Sequence, residues 1–142
     1  MQGVTYFCSM QQWIDAVTTL YVKWNGASPV SLDVLPQSGS ERRYFRLHGE
    51  TGSVIGTYGN NIRENETFFY FSKHFCDKGL AVPEIFAISE NRQFYLQEDF
   101  GDESLLWHLE AKGLTPDVYE LFKKTTHALA ALQVSGDKGL DY

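Results

Sequence analysis

The chain has 142 residues, 43% hydrophobic and 21% charged, enough length and apolar content for one globular domain or for one and a piece of another. Its formal net charge is −6 and no stripe of Lys and Arg is visible. That excludes a nucleic-acid surface, where clustered cations must meet the phosphates. No apolar run reaches the roughly 20 residues of a membrane span, and the N-terminus lacks the basic-then-apolar order of a secretory signal, so a soluble, cytoplasmic protein is expected.

Met10, Trp13, Ile14, Val17, Leu20, Tyr21 and Trp24 recur at three-and-four spacing, which predicts an amphipathic helix over 9–24 with Ser9 as its N-cap. Asn25-Gly26 stops it and Pro29 keeps it stopped. Cys8, before this helix, and Cys76, far along the chain, lack metal-site spacing and read as free thiols.

Two β-leaning runs follow, 32–35 and 44–47, around the small polar turn Gln37-Ser38-Gly39-Ser40. They predict a hairpin with an open, glycine-bearing loop. Free backbone N–H groups in such a loop attract anions, and Arg42 and Arg43 stand directly behind it. A turn over 48–52 leads into a third strand at 53–58, giving an antiparallel meander.

Gly59-Asn60-Asn61 breaks that strand, and 62–76 reads as a helix with Phe68, Phe71 and Phe75 on one stripe and Phe69 beside them. Lys78-Gly79 ends it. Strands at 84–89 and 93–98 bring the sheet to five. After the break at 99–102 come a short helix over 103–112 and a longer one capped by Thr115-Pro116 and running to Gln133, stopped by the Ser135-Gly136 segment. The fold class is α+β. The last helix has a broad apolar face and nothing after it to pack on, so the chain reads as cut short.

Five blocks in this order, LPQSGSERRYFRL (35–47), SVIGTYG (53–59), RENETFFYF (63–71), GLAVPEIFAI (79–88) and FYLQEDFGDESL (94–105), resemble the aminoglycoside phosphotransferase / choline kinase-like family. Within it they are most similar to the branch containing bacterial N-acetylmuramate/N-acetylglucosamine kinases, and the likeness spans about 9–135. It implies a protein-kinase-like small lobe over 1–98, with the helix 9–24 in front and one helix packed on the sheet. An interlobe linker and the first helices of a truncated, helical large lobe then fill 99–142.

The resemblance implies a nucleotide site. Ser38, Gly39 and Ser40 would cover the phosphates through backbone N–H donors. Arg42 and Arg43 would add charge there, or would each pair with a surface carboxylate. Gln97, Glu98 and Asp99 match the segment joining the lobes, where the backbone of Gln97 and Asp99 would meet the adenine edge. Val54, with residues near Ile85 and Leu96, would wall the base. The family's third-strand lysine is missing from 54–58. Either Arg42, Arg43 or Arg63 substitutes for it, or nucleotide binding is weak. The helix glutamate that such a lysine pairs with would be Glu66, or Glu64 failing that; otherwise it lies on a solvated helix face.

Asp99-Phe100-Gly101 spells a magnesium-binding triplet of protein kinases, but no catalytic loop precedes it and it sits at the linker, so the metal reading is set aside. None of His48, His74, His108 and His127 has Asp two residues on, so the family's H-x-D-x-x-x-x-N loop is not in these residues. The catalytic carboxylates, the magnesium ligands and most of the acceptor site are therefore expected downstream. The implied function is the nucleotide-binding portion of an ATP-dependent phosphotransferase acting on a sugar or amino-sugar hydroxyl, using ATP and magnesium and inactive by itself. The alternative is a non-catalytic kinase-like module that binds a nucleotide or a protein.

Overall fold

A computed structural model describes residues 2–37 and 39–140, with side chains from Ser9 onward. The elements are α1 (Gln2–Asn25), β1 (Ser31–Val34), β2 (Arg43–His48), β3 (Ser53–Tyr58), α2 (Ile62–Asp77), β4 (Ile85–Ile88), β5 (Phe94–Glu98), α3 (Leu105–Lys112) and α4 (Pro116–Asp137). The protein is α+β, and its five strands form one open antiparallel sheet in the order β1-β2-β3-β5-β4. The element order follows the expected one. The helix ends differ in places: α1 begins at Gln2 rather than Ser9, because no proline in 2–8 stops a helix, α3 begins at Leu105 rather than Glu103, α4 runs through Gly136 to Asp137, and α1 and α2 each end one residue later.

Side chains alternate across a strand, so the register sorts the sheet into two faces. Phe45, Gly56 and Leu96 stand side by side in the register, as do Tyr44, Thr57 and Tyr95 on the other face. The first face receives α1. Val17, Leu20 and Tyr21 of the helix are buried with Phe45, Leu47, Val54, Phe94 and Leu96. A Cβ at Gly56 would lie 2.8 Å from Leu47 Cδ1 and 3.1 Å from Val17 Cβ, so the bare backbone lets the helix approach. Trp13 stacks on Tyr58 (4.8 Å between centroids) and Trp24 on Phe86 (5.3 Å), extending the core at both ends.

On the second face the first part of α2 sets Phe68 and Phe69 against Tyr95, with centroids 5.6 and 5.0 Å apart. Burial in this cluster pushes the Tyr95 hydroxyl up to about 12, so the ring stays neutral at ordinary pH. The helix starts on a reciprocal cap, in which Asn61 Oδ1 accepts from the Glu64 N–H (3.2 Å) while Asn61 Nδ2 donates to Glu64 Oε1 (2.8 Å). Fully buried Asn65 then donates to the carbonyls of Gly59 and Arg92, both at 2.9 Å. One amide thus ties α2 to the end of β3 and to the β4–β5 turn.

The chain divides into two compact units, 1–71 with 83–99 and 72–82 with 100–142, so the division falls inside α2. In the second unit α3 is capped by Ser104 and α4 by Thr115. Val118 and Gly136 are buried there, and His74 Nε2 lies 2.7 Å from the Gly136 carbonyl. Among the described residues no helix is long and apolar enough to cross a membrane.

Candidate functional site

The β1–β2 loop closes with the Leu35 N–H donating to the Tyr44 carbonyl (2.9 Å) and Gln37 Nε2 to the Ser40 carbonyl (2.7 Å). Gly39 has φ +61°, a left-handed conformation that a side chain would strain, and both Gly39 and Ser40 are exposed. Ser38 lies outside the described residues, as does the Cys8 side chain; Cys76 Sγ donates to the Val82 carbonyl at 3.7 Å. Asn60, just before α2, donates to Glu41 Oε2 (3.1 Å) and holds the loop toward the helix.

Beneath the loop is a hollow of about 530 Å³ lined by Ser40, Arg42, Tyr44, Arg63, Thr67 and Phe68 among others. The Arg42 guanidinium lies over the Phe68 ring, 5.5 Å from its centroid. Arg63 projects from the first turn of α2 and is exposed. Among the described residues neither arginine has a carboxylate partner. Two guanidinium groups, a serine and the start of a helix therefore share one concavity with a single carboxylate, Glu64, whose Oε1 accepts from Asn61, and the excess of positive charge favours an anion. Arg43 goes elsewhere. Its period-two position puts it on the α1 face, 5.6 Å from the Trp13 centroid, with Nε and Nη1 buried and without a hydrogen-bond partner among the described residues.

Val54 faces α1 and is part of the core, as is Leu96. The residue presented to the other face at that step is Ile55, in register with Arg46 and Gln97. Gln97 Oε1 is buried with no partner among the described residues. Glu98 shares the α1 face with Val54, and its Oε2 accepts the Glu84 N–H at 3.3 Å.

Asp99 is committed to the sheet. Its carboxylate accepts from Arg46 Nε (2.7 Å), Arg46 Nη2 (3.1 Å) and Ser53 Oγ (2.6 Å), and the side chain is 6% exposed. No group of three or more His, Cys, Asp or Glu among the described residues is placed to hold a metal ion.

Glu66 pairs with Arg92, through Nε to Oε1 and Nη2 to Oε2, the latter at 2.6 Å. Arg92 sits in the β4–β5 turn at φ 62°, with its guanidinium 5.4 Å from the Phe69 centroid. The hydrogen bond from Arg92 lowers the Glu66 pKa, and the pairing raises that of Arg92. So Glu66 has a cationic partner, but from a turn and not from the third strand, whose inward residue Thr57 is fully buried.

The residues that sequence reasoning missed are Arg46, Ser53, Asn65 and Arg92. For Arg46 a signal existed: alternation along RRYFR puts Arg42, Tyr44 and Arg46 on one face and Arg43 on the other. The remaining three act through contacts distant in sequence. Compared with protein-family models and with curated proteins, the chain has no match in either.

Proposed function

We propose that this chain is the nucleotide-binding portion of an ATP-dependent phosphotransferase that acts on a sugar or amino-sugar hydroxyl, built as a protein-kinase-like small lobe with the beginning of a large lobe, and working in the cytoplasm. One observation carries the reading: Ser40, Arg42 and Arg63 converge under a glycine-bearing loop, and although Glu64 lines the same hollow, neither arginine has an ion-pair partner among the described residues, so one carboxylate faces two cations. A polyphosphate supplies the missing negative charge, and the loop's backbone N–H groups supply fixed donors. The base would lie along Ile55 and Gln97, where the unpaired Gln97 Oε1 is an acceptor in want of a donor. In the transfer, the acceptor hydroxyl oxygen attacks the terminal phosphorus, the bond to the bridging oxygen breaks and ADP leaves. The carboxylate that takes the hydroxyl proton and the ligands for magnesium come from outside these residues.

The chain alone then binds ATP without transferring phosphate. Calorimetric titration with ATP tests this. The reading expects measurable binding, weakened about tenfold or more by Gly39→Asp, which places a like charge beside the phosphates. Equal affinity of the two proteins would count against the loop.

A second reading, a non-catalytic kinase-like module that holds a nucleotide, is favoured by the commitment of Glu66 to Arg92 while the third strand carries no cation. The two part on whether the coding sequence continues into an H-x-D-x-x-x-x-N segment.

A further inference from the structure

A second hollow, about 460 Å³, opens where the C-terminal end of α1 meets the β2–β3 turn and the end of β5. Tyr21, Trp24 and Phe86 line it, together with Glu50, Glu98 and Asp99, the last already paired with Arg46, and no Lys or Arg does; Lys23, in the same helical turn, lines a different hollow. Tyr21 is only 3% exposed, yet its hydroxyl makes no hydrogen bond with any described residue. A Cβ at Gly49 would lie 2.5 Å from that oxygen, so the bare glycine lets the phenol reach the β2–β3 turn. Among the described residues neither glutamate has a cationic partner, and Glu98 accepts one backbone N–H.

We propose that this hollow is a binding site for an organic cation, an alkylammonium or a guanidinium group. Apart from Asp99, which Arg46 neutralises, the charged and polar features share one sign. The last carbonyls of a 24-residue helix carry partial negative charge, the two carboxylates without a cationic partner, Glu50 and Glu98, add to it, and the Tyr21 oxygen offers a lone pair. The exposed part of Trp24 attracts a cation electrostatically, and the apolar walls take its carbon chain. Anions find no donor cluster here, and the three carboxylates of the lining are not placed together to hold a metal ion, Asp99 being taken up by Arg46. The same chemistry arrives from two sources, a free amine or the Lys or Arg side chain of a partner protein. The inference does not rest on the nucleotide reading.

The test is an NMR titration of the 142-residue chain with n-butylammonium, with n-butanol as the neutral isostere, and with a short lysine-containing peptide. The expected result is a saturable shift of the Trp24 indole N–H with the cation and none with the alcohol at the same concentration. Glu98→Gln should weaken binding about tenfold, the scale of a hydrogen bond to a charged group. Tyr21→Phe should weaken it less at an unchanged melting temperature; should that variant unfold, Glu98→Gln decides alone. Tighter binding of the peptide than of the amine assigns a protein partner, and the reverse assigns a small molecule. Equal shifts with butanol, no shift with either cation, or full affinity retained by Glu98→Gln overturns the proposal.

Discussion

Arg46, in the middle of β2, grips Asp99, one residue beyond β5, through two N–H groups at 2.7 and 3.1 Å. The fork spans the sheet, and Ser53 at the head of β3 adds a third bond at 2.6 Å. It fixes the direction in which the chain leaves the first unit, and with it the Gln97–Asp99 backbone on which the adenine reading depends. Because both side chains are largely buried, removing one partner strands a charge. Asp99→Asn should therefore lower stability by about 3 kcal/mol, measured by urea denaturation. Arg46→Ala should cost a similar amount, and the double variant should cost clearly less than the sum.

Asn65 makes a comparable tie without charge. Its two donated bonds satisfy the carbonyls of Gly59, which is buried, and Arg92, which is partly so. Asn65→Ala should cost about 2 kcal/mol or more, since it leaves two acceptors unpaired. Hydrogen exchange should rise first in the β4–β5 turn, where the lost anchor sits. A loss confined to α2 would argue that the carbonyls are not held by this amide.

The Glu66–Arg92 pair sets a pH dependence. Arg92 lowers the folded-state pKa of Glu66 below its ordinary value of 4.5, so the pair's stabilisation is fully present above pH 4.5 and is lost as pH falls through the lower, folded value. Both side chains are 44% exposed, so the contribution is small and screened by salt. Thermal melts between pH 3 and 6 should show a shallower acid decline for Glu66→Gln than for the parent chain. Identical slopes would mean that the pair contributes nothing.

Much of the fold was legible because its elements announce themselves locally. Short apolar, β-leaning runs between turn residues marked β2, β3 and β5, three-and-four spacing marked α1 and α2, and Thr115 caps α4 as a helix start should, while sequence reasoning missed the Ser104 cap of α3. What was not legible depends on contacts distant in sequence. Gly136 reads as a stop, yet it is helical and buried, because a Cβ there would lie 2.8 Å from the Phe75 ring and the missing side chain makes room for it. Gly136→Val should thus destabilise the second unit by about 2 kcal/mol through overpacking, whereas a mere helix-stop would tolerate it.

The candidate site divides in the same way. Loop glycine, Ser40 and Arg42 could be read from the sequence, and so could the vacancy on the third strand. Placing Val54 at the base required knowing which face α1 covers, and the hydrophobic pattern of SVIGTY, apolar on both sides at Val54-Ile55, does not say. Arg63 was one of three arginines offered for the missing charge. Only the packing of α2 brings it to the same hollow as Arg42 and leaves Arg43 against Trp13.

The most direct measurement is an amide NMR titration of the chain with ATP and, separately, with inorganic triphosphate. The account predicts shifts centred on Gly39, Ser40, Arg42 and Arg63 with both ligands, an affinity that falls as salt rises, and a loss of about tenfold in Arg42→Ala. Shifts that bypass this loop, or an Arg42→Ala chain that binds both ligands as tightly as its parent, would contradict it.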